Sequence, residues 1–391
     1  MLAWLLASAS AADFVTDIGE PQIWEQGGNW SRPIPYNGAW KLGIGTASDY
    51  WVADLNPGSE FGEWDLDRDS KVNLTNRGNL KDHSIKRCPD GTYLVASSAN
   101  VVDPNDSSYW TWVDEDFGPI ANGTIEEATN ERPHNDLVVL CSAEAQGVIH
   151  SEFGQPDYFE STLFHIDRDE GVTGTSTLQD FKSEGGSIIY DTRTNQYVGA
   201  DASLFFIGGI TVFDTDYNVV RREDTVEYVT GDWKESWPQG LHRIGDYFVI
   251  AVLARDEVTY GRGDGDGEVW LVVLDDDFNV LERNRLTWFL DEGAGANRPW
   301  IARSGNQMLI GFDREVKQGV IEVKLDLDEF GVDGGEDTAI EDPDNPNGDD
   351  TGRDGGVPPV CGCTASPTAP AGGALALLAA WVLRRRKPHS M

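Results

Sequence analysis

Three carboxylates, Asp82, Asp136 and Glu184, each stand just ahead of an apolar, strand-like run in a separate stretch of the chain. Two such groups brought to one pocket, one held protonated and one ionised, could serve as acid and base in glycosidic-bond hydrolysis. His83, His134 and His242 occupy the same kind of position, with Asn135 and Gln239 beside them. Arginine precedes proline at Arg32-Pro33, Arg132-Pro133 and Arg298-Pro299, near three such starts. Converging guanidinium groups would clamp a carboxylate. Each residue type also has a plainer use. Asp and His at a strand start cap backbone groups, and arginines in an acidic chain pair with Asp and Glu. The candidate catalytic set is Asp82, Asp136 and Glu184; the candidate ligand-binding set is His83, His134, His242, Arg132 and Arg298. Neither a Ser-His-Asp spacing, a phosphate loop, a dinucleotide fingerprint nor a His-x-x-x-His metal pattern occurs in the sequence.

The elements that must position these residues follow from a repeat. The stretch Val272-Val273-Leu274-Asp275-Asp276-Asp277-Phe278 reads as an apolar strand running into an aspartate turn, and the pattern recurs at Asp65, Asp114, Asp167, Asp214 and Asp326. Successive first aspartates are 49, 53, 47, 61 and 51 residues apart, a period typical of blades or solenoid units. Within each period lie short alternating runs, such as Leu241 to Ile244, Tyr247 to Val252 and Glu268 to Val273, separated by Gly, Pro and Asp. The composition, with 14 Trp and 43 Gly, suits many short strands joined by tight turns. The expected fold is all-β: a six-bladed β-propeller over residues 13–330, with repeat one beginning at Ala39. A five-bladed ring is the alternative. The sixth unit lacks a fourth strand, and a lone strand between Phe14 and Trp24 is available to complete it, which would close the ring and hide its edges.

The repeated aspartates are expected to be turn residues, because Asp bonds its own following backbone and tolerates unusual dihedrals. No cofactor is required by this reading. Calcium is the ion for which the acidic runs offer ligands, at Asp65-Asp67-Asp69 and at Asp264, Asp266 and Glu268. An EF-hand loop from Asp65 would need Glu twelve positions in, where Asn76 stands.

The ends of the chain differ from its body. Residues 1–12 look like the apolar and small-residue part of a secretory signal, without its basic start. A buried first strand is the other reading of this segment. Residues 331–360 form a Gly/Asp/Pro-rich acidic stretch that cannot build a core and reads as a solvated, disordered linker. Residues 361–387 then carry Cys361-Gly362-Cys363, an apolar run from Ala365 to Leu383 near the shortest length for a membrane helix, and Arg384-Arg385-Arg386-Lys387. This tripartite tail resembles the MYXO-CTERM sorting signal of myxobacterial surface proteins. The resemblance covers about the last thirty residues. It implies export, recognition by a sorting protease of the membrane, and transfer to the cell surface or outer membrane with Cys361 or Cys363 at the processing site. An ordinary single-pass anchor, or a disulfide between these cysteines, is the alternative.

Cys88 and Cys141 end the inner strands of neighbouring units. An oxidising compartment would let them pair, whereas a wide gap between inner strands would forbid it. The net charge of −37 repels nucleic acid as a partner. Two function classes remain: a surface-anchored binding module for a polysaccharide or protein, or a glycosidase using carboxylates at the channel mouth.

Overall fold

The structure is a computed structural model describing residues 13–24, 29–46, 49–76, 80–99, 108–125, 135–152, 160–181, 186–201, 208–225, 228–229, 233, 235–255, 267–292, 295–314 and 317–332. Two short strands come first, β1 (Val15–Ile18) and β2 (Gln22–Trp24). Blade one is β3 (Asn29–Tyr36), β4 (Ala39–Gly45), β5 (Asp49–Pro57) and β6 (Trp64–Asn76). Blade two is β7 (Leu80–Arg87), β8 (Tyr93–Ala99), β9 (Ser108–Val113) and β10 (Pro119–Ile125). Blade three is β11 (Asn135–Cys141), β12 (Gln146–Glu152), β13 (Glu160–Asp167) and β14 (Gly171–Gln179). Blade four is β15 (Ser187–Asp191), β16 (Gln196–Asp201), β17 (Gly209–Phe213) and β18 (Val219–Asp224). Blade five is β19 (Glu235–Ile244), β20 (Tyr247–Arg255), β21 (Glu268–Leu274) and β22 (Val280–Arg285). Blade six has β23 (Asn297–Ser304), β24 (Gln307–Arg314) and β25 (Lys317–Leu325), and takes β1 and β2 on its outer side.

The first strands β3, β7, β11, β15, β19 and β23 touch in succession, and β23 returns to β3. The chain is therefore a six-bladed β-propeller. Its core is divided into wedges between blades. Ile34 and Val52 meet Tyr93 and Val95 between blades one and two, while Val249 and Leu271 meet Met308 and Ile310 between five and six. Both faces of a blade are covered by neighbours, so its middle strands read as continuous apolar runs rather than alternating ones. Every residue of β21 is buried, including Glu268, whereas β22 alternates.

The N-terminal strand closes the last blade, as the incomplete sixth unit required. Val15 pairs with Leu325 and Ile18 with Val323, then Gln22 with Val320 and Trp24 with Gln318. Phe14 is buried against Tyr247 and Phe330, and its backbone N–H donates to Glu282 at 2.6 Å.

Two expectations are corrected. Repeat one starts ten residues earlier than Ala39, because Asn29–Tyr36 is its inner strand. Pro33 and Pro35 disguised it; an inner strand is a sheet edge, where proline is tolerated. In that same blade Asp65 and Asp67 lie inside β6, and the turn before it is Gly58–Glu63, closed by Gly58 N–H to the Glu63 carbonyl at 2.6 Å. The later repeats are true Asp turns. Asp114 accepts the N–H of Asp116 and Gly118, Asp214 those of Asp216 and Asn218, and Asp275 those of Asp277 and Asn279. These turns place Phe117, Tyr217 and Phe278 at φ of 65°, 64° and 60°, with Phe117 and Phe278 buried between blades.

Cys88 and Cys141 form a disulfide, with Cα atoms 5.1 Å apart, joining the ends of β7 and β11. The gap between inner strands does not open at that end. Replacing both cysteines with serine releases a cross-link over 53 residues, which chain entropy values at about 4 kcal/mol. Urea unfolding is expected to show a lower midpoint for the double variant, equal to that of the reduced parent.

Candidate functional site

The six inner strands surround a cavity of about 170 Å³ on the propeller axis. Its charged lining residues, among those described, are Arg32, Lys86, Arg87 and Arg303. None is Asp or Glu, although acidic residues outnumber basic ones 67 to 30 in the whole chain. The walls between these charges are apolar, with Val139, Ile189, Leu241 and Trp300. Among the described residues, the lining is thus basic and apolar.

Each charge is held by the strand that carries it. The Arg32 guanidinium lies 3.2 Å from the centroid of the Trp300 ring, a cation–π contact between blades one and six. Lys86 Nζ reaches past blade three and donates to the carbonyl of Ile188 on blade four at 2.9 Å. Arg303 Nε donates to the Gly305 carbonyl at 2.6 Å, as Arg243 Nε does to Gly245 at 2.9 Å one blade earlier. His242 faces the same cavity. Burial first, and then the positive charges of Arg303 and Lys86, push its pKa down to about 3, so the imidazole is neutral at pH 7.

Of the residues singled out from sequence, His242 and Arg32 are, among the described residues, those the structure brings to this cavity. His83 is a peg between blades one and two instead. It is buried, stacks on Tyr50 at 4.8 Å, and contacts Ser97 Oγ through Nδ1 at 3.0 Å and the Thr46 carbonyl through Nε2 at 3.3 Å. The fit leaves no room for a side chain at Gly45, whose added Cβ would lie 2.2 Å from His83 Cδ2. Arg298 turns towards Asp313, 3.6 Å away, and Asp313 also accepts the N–H and hydroxyl of Ser31 at 3.1 Å, tying blade six to blade one. Arg32 and Arg298 therefore serve different partners rather than one clamp. Asp82 and Asp136 are placed by their backbones on β7 and β11, with side chains outside the described residues. His134, Arg132, Glu184, Asp264, Asp266, Cys361 and Cys363 also lie outside the described residues.

Glu268 is engaged in another way. It is fully buried on β21 and accepts from Arg285 at 3.0 Å, from the Thr287 hydroxyl, and from the N–H groups of Phe289 and Leu290 at 3.1 and 2.8 Å. Both oxygens anchor the short 3₁₀ turn at Phe289–Glu292. Among the described residues there is no group of three or more His, Cys, Asp or Glu placed to hold a metal ion.

Lys86, Arg87 and Arg303 were not singled out by sequence reasoning. The signal that could have found them is their shared place, in the last two or three residues of an inner strand just before its turn.

The fold and its axial cavity define a β-propeller protein of the all-β class. No protein-family model matches the chain, and no curated protein matches it. Solved structures do resemble it in fold. A subtype N10 neuraminidase-like protein of A/little yellow-shouldered bat/Guatemala/060/2010 has 10% identity and a TM-score of 0.48, covering 80% of this chain and 100% of that one. Trypanosoma rangeli sialidase has 8% identity and a TM-score of 0.45, covering 77% of this chain and 54% of its own, so the chain spans about half that enzyme's length. An exo-1,5-alpha-L-arabinanase from a bovine ruminal metagenomic library has 11% identity and a TM-score of 0.40, covering 64% and 97%.

The buried histidines make stability depend on pH. Burial lowers the pKa of His83 and of His242 to about 3, against an ordinary value near 6.5. Below pH 6.5 the unfolded chain takes up protons that the folded one refuses, so this contribution is full above 6.5 and lost as pH falls towards 3. Urea unfolding between pH 7 and 4.5 is expected to show falling stability, with part of the slope removed in His83→Gln. An unchanged slope in the variant would contradict the buried neutral histidine.

Proposed function

We propose that this protein is an exported, cell-surface-anchored β-propeller that binds a polysaccharide through the mouth and axial cavity of its ring. The observation that carries this reading is the cavity lining: Arg32, Lys86, Arg87 and Arg303 set between apolar walls, without a carboxylate among the described lining residues. Such a lining offers donors and ring-stacking surface, which recognition uses. Acid–base hydrolysis would instead need two carboxyls about 5–10 Å apart across one pocket. A narrow cavity suits a chain end or side branch of a glycan better than the broad surface of a folded protein.

Export is supported from three directions. The first twelve residues read as a signal segment, and the last thirty resemble a sorting tail. The Cys88–Cys141 bridge belongs to an oxidising compartment. In this scheme the propeller faces outward on the acidic linker, and a sorting protease of the membrane acts at Cys361 or Cys363.

Two measurements test the proposal. A glycan array probed with the purified protein is expected to show retained polysaccharide and no release of reducing ends. Hydrolysis abolished by Asp82→Asn or Asp136→Asn would establish the glycosidase instead. Mass spectrometry of the cell-surface form is expected to find the first twelve residues gone and the chain ending at Cys361 or Cys363. An intact tail in the surface form would mean a plain membrane anchor.

A further inference from the structure

We infer that β14, the outer strand of blade three, is a self-association edge that pairs antiparallel with β14 of a second copy of this chain. The pairing would join two blades into one continuous sheet. It does not depend on what the axial cavity binds.

The blades serve as controls for one another. Each outer strand is the rim of its sheet, where backbone donors and acceptors stand ready to pair with another chain. Proteins blunt such rims with charge, proline or short strands. Here β6 carries five charged residues, β18 four and β22 three. The rim strand β10 begins at Pro119, and blade six ends on β1 and β2, of four and three residues. The rim of blade three has none of these devices. Nine residues long, β14 contains neither charge nor proline, in a chain of which 25% is charged.

The strand is also held ready. It pairs with β13 along its length with a single bulge at Thr173, so Gly174 to Leu178 is regular. Among the described residues no strand lies on its other side. Val172, Thr173, Thr175 and Thr177 are exposed there, and β-branched side chains favour the extended backbone that pairing needs.

A second copy fits this edge because antiparallel pairing about a two-fold axis offers each strand its own donors and acceptors in reverse order. Charge selects the place. Two chains of net charge −37 repel one another, and β14 is the long rim strand that brings no carboxylate into the contact over its own length. Glu170 and Asp180 flank it. With Thr175 opposite the partner's Thr175, Glu170 stands beside the partner's Asp180. Glu170 and Asp180 are exposed, so salt screens their repulsion and strengthens the association.

Sedimentation equilibrium of the full chain in detergent micelles tests this. A dimer is expected at about 100 µM, with a dissociation constant that falls as salt rises. Combining Thr175→Lys with Thr177→Lys sets like charges against each other across the pair, and is expected to weaken association about tenfold or more. Both side chains are exposed, so the blade itself keeps its packing. Mixing that variant with one combining Thr175→Glu and Thr177→Glu is expected to restore a heterodimer, a rescue that a damaged fold would not allow. A parent chain monomeric at that concentration overturns the inference and leaves the edge to a strand of another protein. A dimer indifferent to the two lysines places the association elsewhere, the apolar tail included, and overturns it too. So does a mixture that stays monomeric.

Discussion

The pairing of β1 and β2 with β25 is the constraint on which the ring depends. Each blade is a sheet whose two faces are both apolar, so none can be left uncovered at the end of the row. The chain closes the row by splitting one blade between its two ends: three strands come from residues 297–325 and the fourth side from residues 15–24. Phe14 fixes the splice. Its ring packs on Tyr247 and Phe330 while its N–H reaches Glu282 on blade five. Because the wedge between blades five and six contains Phe14 together with Val249 and Ile310, closing the ring and completing that core are one event.

Once closed, the ring forces inner strands together at its axis, and polar side chains there act as pegs between blades. His83 fills the space beside Gly45, and Asp313 gathers Ser31 and Arg298. Gly311 lies so close to blade one that an added Cβ would sit 2.2 Å from the Ser31 carbonyl oxygen. His83, Ser31 and Arg298 lie in the first half of their inner strands, where sequence reading places a ligand rim, yet the partners named here belong to other blades or strands. The charges that do face the cavity come mostly from the far ends of the inner strands.

The aspartate turns show how local chemistry and packing cooperate. A carboxylate accepting two backbone N–H groups shapes the turn, and the aromatic that follows takes a positive φ that such residues rarely adopt. Burial of Phe117 and Phe278 in the wedges between blades offsets that strain. The hydrogen-bonded aspartates Asp214 and Asp275 titrate below the usual carboxylate range; at Asp275 these bonds outweigh the opposing effect of burial.

By itself, the sequence determined the strand content, the period of about fifty residues and the availability of an N-terminal strand for the last unit; it favoured six units over five, and the ring of inner strands decided for six. What the sequence determined rests on short-range patterns: alternation, turn chemistry and the spacing between aspartates. It also placed Cys88 and Cys141 at equivalent positions, and left the pairing open because distance between neighbouring blades is not a local property. Blade one was misread for a local reason, since Pro33 and Pro35 argue against a strand until its place at a sheet edge is known. Only the tertiary structure decided which polar residues meet. His83 and His242 look alike in sequence, but one fills a gap between blades and the other faces the axis, because which blades approach a side chain depends on the whole ring. Lys86 and Ile188 stand 102 residues apart and become neighbours only across the channel. Contacts of that range follow from closure, and no local pattern encodes them.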